Sequence, residues 1–218
     1  MSMAKTVALT FDDGPNTITT PKVLDLLEQY GIKASFFLIG QNVTPESVKV
    51  TERALKMGCE ICNHTYTHPF MSKLTKEQII EEVEKTDAII EKLTGKRTLF
   101  FRPPYIDVTE QMYECIDKIF ICGVGCMDWE PKTDSAFKRE EMLRTAEDGV
   151  LYLLHDMTGN EATVDALKVV IPTLLDRGYE FATTTEIFTA KQPLFDPVKG
   201  YATRPRVLFS NIKNDYQG

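Results

Sequence analysis

Apolar residues along this chain follow two habits. Short unbroken runs alternate with longer stretches in which apolar positions recur every three or four residues. The runs are Val7-Ala8-Leu9, Ala34 to Ile39, Glu60 to Cys62, Leu99-Phe100-Phe101, Ile119 to Cys126, Val150 to Leu154 and Gly178 to Ala182. Each reads as a strand, although two glycines weaken the fifth. Between them lie helix signals. Thr20-Pro21 looks like an N-cap followed by proline at the first helical position, with Val23, Leu24, Leu26 and Leu27 as the apolar face and Gly31 as the stop. Thr44-Pro45 repeats that signal for a helix to about Lys56. Thr75 and Gln78 form a capping box ahead of Ile79, Val83, Ile90 and Leu93, and Gly95 ends that helix. Further helices are expected from Thr109 to about Lys118, from Phe137 to about Glu147, and from Thr185 to Thr189. Asn160 reads as the cap of another, which buries Leu167, Val170, Ile171, Leu174 and Leu175 and should kink at Pro172.

Strands that alternate with helices argue for a parallel α/β sheet joined by right-handed crossovers. The strands are apolar throughout, as expected where both faces are covered. A closed barrel and an open doubly wound sheet both fit. The length, 218 residues with 43% hydrophobic, suits one domain, placed at residues 1–190. Residues 191–218 mix proline, glycine and charge around Val207-Leu208-Phe209, and are expected to pack on the domain as a tail.

Charge and motifs then exclude partners. Net charge is −7 with no long basic run, which disfavours nucleic acid and anionic membranes. No G-x-G-x-x-G or P-loop supports a nucleotide fold. No apolar stretch reaches the roughly 20 residues of a membrane span, and no basic-then-apolar leader follows Met1. The five cysteines, an odd number, argue against a full disulfide framework. Cys59-Glu60-Ile61-Cys62 has metal or redox spacing, but residues three apart on a strand face opposite sides. The pair is expected to be two buried small hydrophobes.

The candidate chemistry sits where strands end. Val7 to Leu9 runs into Thr10-Phe11-Asp12-Asp13-Gly14-Pro15, whose two adjacent carboxylates should point to different faces. The plain reading is a turn, for which Asp-Gly-Pro chemistry is well suited. The three histidines of the chain, His64, His68 and His155, also follow predicted strands, as do Arg102 and Asp128. In a parallel α/β fold all these ends open onto one face. His64 and His68 would lie about 13 Å apart on an extended strand, but share a face on a helical turn. There they could reach one metal, with Asp13 completing a set of two imidazoles and one carboxylate that leaves positions open. A lone H-x-x-x-H is weak; the shared strand-end placement and the Asp pair strengthen it.

Five ordered segments carry a resemblance. Thr10-Phe11-Asp12-Asp13-Gly14-Pro15, Asn63-His64-Thr65-Tyr66-Thr67-His68, Arg102-Pro103-Pro104-Tyr105, Asp128-Trp129 and Leu153-Leu154-His155-Asp156 resemble the signature blocks of the polysaccharide deacetylases, carbohydrate esterases with a NodB-type domain. The resemblance implies a distorted (β/α)7 barrel, TIM-barrel-like. It implies that Asp13, His64 and His68 hold one divalent metal, usually zinc, with cobalt or nickel as alternatives. Asp12 would be the general base and His155 the general acid. Arg102 would hold Asp12 and keep it ionised, and Asp128 would orient His155. The backbone N–H of Tyr105 would help to stabilise an oxyanion, and Trp129 and Leu153 would wall the acetyl pocket. Each has a plainer alternative: Arg102 at the surface, Asp128 in a turn, Trp129 as packing, Asp156 as a loop brace. Two positions depart from the family pattern: Cys59 stands where a histidine is frequent, and Gly125 where an aspartate is common.

The expected reaction is N-deacetylation of N-acetylglucosamine residues in peptidoglycan or chitin-type chains. The runner-up is O-deacetylation of acetylxylan. Two other readings are an amidase for a non-sugar substrate and a glycan-binding domain without catalysis. The expected partner is an acetylated glycan, and the expected state a monomer. The resemblance implies an extracellular or cell-envelope setting for a mature or truncated domain, while unpaired cysteines keep the cytoplasm open.

Overall fold

The computed structural model describes residues 5–190. The expected tail at 191–218 lies outside the described residues. One parallel sheet is built from β1 (Lys5–Asp12), β2 (Ser35–Leu38), β3 (Glu60–Asn63), β4 (Phe100–Phe101), β5 (Ile119–Phe120), β6 (Val124–Gly125), β7 (Val150–His155) and β8 (Tyr179–Phe181). The strand order is β5-β4-β3-β2-β1-β7-β6, with β8 on β1. Val7 pairs with both Val150 of β7 and Phe181 of β8, so β8 lies on the edge of β1 that β2 occupies higher up.

β5 and β6 stand at opposite ends of this order, yet only residues 121–123 separate them. Four residue steps span at most about 14 Å, so the sheet must curl until its ends face each other. The fifth predicted strand, Ile119 to Cys126, is therefore divided. Its first half pairs with β4 and its second with β7. Gly123 makes the crossing feasible: a Cβ there would lie 2.9 Å from both Leu151 O and Leu153 N, so only glycine brings the two backbones this close. The result is the distorted seven-stranded barrel, its fifth strand broken at the closure.

The helices are α1 (Thr19–Gln29), α2 (Val48–Lys56), α3 (Lys76–Thr94), α4 (Glu110–Cys115), α5 (Ser135–Arg144), α6 (Glu161–Asp176) and α7 (Thr184–Ala190). The capping box of α3 and its left-handed Gly95 stop are as predicted. Other caps differ. Thr20 lies inside α1, whose first N–H groups bond to Asn16 Oδ1 instead. The turn at Thr44 precedes α2, which starts at Val48. α6 is continuous through Pro172, and Asn160 makes no cap bond. Among the described residues no helix is long and apolar enough to cross a membrane.

Alternation along the strands sorts residues into one inner core and two outer ones, the smaller outer one packing Phe101 and Phe120 against Ile79 and Val83 of α3 and Met112 of α4. Val7, Leu9, Phe11, Val150, Tyr152 and Leu154 face outward into the layer shared with α1, α2 and α6. Ala8, Phe37, Cys62, Phe100, Ile121 and Leu151 converge inside the barrel, closed below by Ile187 of α7. Two residues further along, the same inward positions carry different chemistry. Thr10 and Asp12 follow Ala8, Leu153 and His155 follow Leu151, His64 follows Cys62, and Arg102 follows Phe100. The functional mouth is thus the top layer of an otherwise apolar barrel interior.

Candidate active site

Asp12, the last residue of β1, is buried and accepts a 2.6 Å bond from Arg102 Nη1. Arg102 is wholly buried. Its Nη2 donates to Cys122 O at 3.1 Å, and its guanidinium lies 4.1 Å over the Phe37 ring. Burial pushes the Asp12 carboxyl above the usual carboxylate range, outweighing the lowering charge of Arg102. Arg102 therefore acts in the expected direction without dominating.

Asp13 turns the chain out of the strand at φ 74°. Asp13 Oδ1 lies 3.6 Å from His64 Nε2 and 3.3 Å from His68 Nε2. One ligand atom from each of the three residues lies within 4.8 Å of the others. The backbone that achieves this is not a helical turn, as the spacing suggested. His64 follows β3, and the chain then passes through positive φ at Thr65 (66°) and His68 (61°). His64 Nδ1 lies 2.6 Å from Arg102 O, a carbonyl that can only accept, so Nδ1 carries the proton. Burial drives the His64 pKa down to about 3. The ring is neutral, and Nε2 offers its lone pair to the Asp13 side. Asp13 Oδ1 is itself buried with no hydrogen-bond partner. A lone pair and a carboxylate oxygen that face each other without a proton repel, unless a cation lies between them.

His155 ends β7. Its Nδ1 is 2.7 Å from Asp128 Oδ1, and its backbone N–H donates to Asp128 Oδ2 at 2.7 Å. Burial alone would lower its pKa, but the Asp128 bond and charge, with the charges of Asp12 and Asp13, raise it to about 9. Asp128 is 1% exposed and also receives Thr163 Oγ1 at 3.1 Å and Asn160 Nδ2 at 3.3 Å. It lies in the turn closed by Glu130 N–H on Met127 O, as its plain reading held, and its carboxylate serves His155 as well. Asn160 and Thr163 were missed as site residues. Asn160 looked like a helix cap, whereas it binds Asp128 and His155 O; Thr163 gave no signal at all.

The remaining predicted residues border this centre. Tyr105 adopts φ 57° after two prolines, and its exposed ring stacks on Phe70 at 4.0 Å and meets His68 edge-on at 4.6 Å. Trp129 is half-buried, edge-to-face with His155 at 5.5 Å. Leu153 is buried on the inward side of β7, one step below His155. Asp156 braces its loop, as its plain reading held: its N–H donates to Asp12 O and its Oδ2 accepts from Thr20. Burial raises its pKa to about 7. Among the described residues, the non-glycine ones at positive φ are Asp13, Thr65, His68, Tyr105, Ile106 and Met127. All are site residues or adjoin one, and strain on the order of 1 kcal/mol or more at each is typical of a functional centre. Cys59 and Cys62 enter different cores, outside and inside the barrel, and burial raises both thiols.

The model of the family described as polysaccharide deacetylase matches residues 2–119. The chain belongs to the polysaccharide deacetylase family. This deacetylase-family chain is 46% identical over 187 residues to a bifunctional xylanase/deacetylase of Pseudobutyrivibrio xylanivorans, covering 86% of the chain and 31% of that protein. It is 35% identical over 193 residues to a peptidoglycan-N-acetylglucosamine deacetylase of Bacillus cereus, covering 85% of the chain and 70% of the relative. The solved family 4 acetyl xylan esterase of Clostridium thermocellum, in complex with a cobalt ion, superposes with a TM-score of 0.82 at 38% identity, over 86% of this chain and 92% of that one. The chain thus spans under a third of the first relative's length.

Proposed function

We propose that this chain is a metal-dependent polysaccharide deacetylase with its ion on Asp13, His64 and His68. The observation that carries the reading is the convergence of these three donors, with a neutral His64 and an unpartnered Asp13 oxygen, between an Asp–Arg pair and an Asp–His pair. A divalent ion there would polarise the acetyl carbonyl and acidify a bound water; zinc suits two imidazoles and a carboxylate, and cobalt is its usual spectroscopic substitute.

The chain's own groups divide the proton work. Asp12 takes the proton of the attacking water, and its raised pKa makes it a stronger base than an exposed aspartate. Arg102 fixes which Asp12 oxygen stays free. His155, protonated at neutral pH, delivers a proton to the leaving nitrogen or oxygen. Asp128 holds its Nδ1 so that Nε2 faces the centre. The N–H of Tyr105 donates to the carbonyl oxygen as charge builds there. Leu153 and Trp129 wall the acetyl methyl.

Both substrate classes pass through the same tetrahedral geometry. The xylan-linked similarities, at 46% and 38% identity, exceed the peptidoglycan ones at 35% and 36%. We therefore place acetylated xylan first and N-acetylglucosamine chains second, reversing the order expected from the sequence alone. The glycan would be met outside the cell or at its envelope. The test is acetate release from both polymers by chelator-stripped chain, before and after refilling with zinc or cobalt. Metal-dependent release from either polymer supports the mechanism, and the faster one names the substrate. Bound metal with no release from either would sink the reading.

A further inference from the structure

The loop that carries His64 and His68 lacks regular secondary structure, yet its backbone donors are fully accounted for, and mostly by side chains. His64 N–H bonds to Leu38 O, and Thr65 N–H to Asn63 Oδ1. Glu82 of α3 takes the next two: its Oε2 accepts Tyr66 N–H at 2.9 Å and Thr67 N–H at 2.7 Å, while its Oε1 accepts Thr67 Oγ1 at 2.7 Å. His68 N–H closes back on Thr65 Oγ1 at 3.1 Å. Asn63 is in turn held from the same helix, donating to Val83 O at 2.9 Å and Asp87 Oδ1 at 2.7 Å.

The two ligands are therefore secured differently. His64 is fixed by the sheet and by Arg102 O. His68 is four residues further on, beyond a left-handed turn; the two peptide units leading to it are held on their carbonyl side by Gly40 and Gln41 N–H, and on their N–H side by one carboxylate alone. A surface glutamate on a helix ordinarily meets water or a lysine one turn away. Glu82 instead collects three donors from a loop fifteen to sixteen residues distant.

We propose that Glu82 is the positioning residue that sets the affinity of the divalent-metal site, by holding His68 in register with Asp13 and His64. The inference rests on the metal site of the proposed function. Losing the carboxylate frees two charge-assisted backbone bonds and the Thr67 hydroxyl together. His68 then samples positions from which its Nε2 no longer meets Asp13.

The experiment compares wild type, Glu82→Ala, Glu82→Gln and His68→Ala by competition for zinc with a chromogenic chelator, and by the absorption spectrum of the cobalt form. Removing a group that orients a ligand typically costs about 10- to 100-fold in metal affinity, and that loss is expected for Glu82→Ala, with an altered cobalt spectrum. Glu82→Gln keeps an amide oxygen for the two N–H groups and should recover most of the affinity. The metal-free Glu82→Ala chain should melt somewhat below metal-free wild type from the three lost bonds, but in one cooperative transition, which separates loss of ligand register from loss of fold. Wild-type affinity and spectrum in Glu82→Ala, while His68→Ala loses both, would overturn the proposal and spare the metal site. Failure of wild type to bind zinc or cobalt would overturn both.

Discussion

Two histidines, His64 buried and His155 half-buried, share the barrel mouth and are driven in opposite directions. His64 and His155 each engage Nδ1 at nearly the same distance, 2.6 and 2.7 Å. For His64 the partner is the uncharged carbonyl of Arg102, which raises the pKa too little to offset burial, and the pKa falls to about 3. For His155 the partner is the carboxylate of Asp128, and the pKa rises to about 9. A nearly equal hydrogen-bond length thus accompanies a neutral electron-pair donor in one place and a proton donor in the other. The charge behind the ring decides the role, as two-carboxylate enzymes show for acids.

The largest effects come from removing either ring. His64→Ala and Asp13→Ala are expected to abolish both metal binding and deacetylation. His155→Ala should lower turnover by about 10²- to 10⁴-fold, the usual contribution of a general acid, while the metal content stays at the wild-type level. Metal analysis beside acetate release separates the two histidines. If His155→Ala also lost its metal, the division of roles drawn above would be wrong.

Exchanging the partner comes next. Asp128→Asn keeps a hydrogen-bond acceptor for Nδ1 but removes the charge, which makes His155 resemble His64. Its pKa should fall from about 9, and the alkaline limb of the pH–rate profile should move down with it. Turnover at pH 8 should drop by about 10- to 100-fold, with partial recovery near pH 6. An unmoved alkaline limb would assign that limb to another group.

The same pair leaves a signature in stability. His64 has its pKa lowered in the folded chain, so the unfolded state binds more protons below pH 6.5, and stability falls as pH drops from there towards 3. His155 has its pKa raised, so its contribution is complete below 6.5 and is lost as pH rises through 9. Melting temperatures of the metal-free chain should decline on both sides of about pH 6.5 from these two groups. Asp128→Asn should flatten the alkaline side only.

These contrasts also mark what the chain disclosed before folding. The strand ends, the Asp pair and the histidines were legible because inward-facing positions repeat every second residue, and the functional group is the next step after the last apolar one. The division of Ile119 to Cys126 was not, because it depends on Gly123 meeting the β7 backbone, a contact between residues remote in sequence. Asn160 carried a local cap signal that tertiary contact overrode, since Asp128 and His155 O offered it partners. Glu82 had no signal, as an acid on a helix surface usually means solvent.

The smallest effect tests spacing itself. Cys59 and Cys62 lie three apart, His64 and His68 four apart, within one ten-residue segment. Cys62 lies in β3 and Cys59 just ahead of it, and the two enter separate cores on either side of the sheet. The histidines lie past the strand end, where two left-handed residues fold the chain back on itself. Spacing alone would have favoured the cysteines as ligands; the backbone reverses that. Both thiols are shifted up by burial, which removes the thiolate that metal or alkylating reagents need. Cys59→Ala combined with Cys62→Ala should therefore leave the bound metal per chain and the turnover within about twofold of wild type, with a modest drop in melting temperature from lost packing. The native chain should also react only slowly with iodoacetamide at these two positions, as peptide mapping would show. A loss of metal in the double variant would mean that the pair reaches the centre after all, and that the barrel wall between them is not the barrier described.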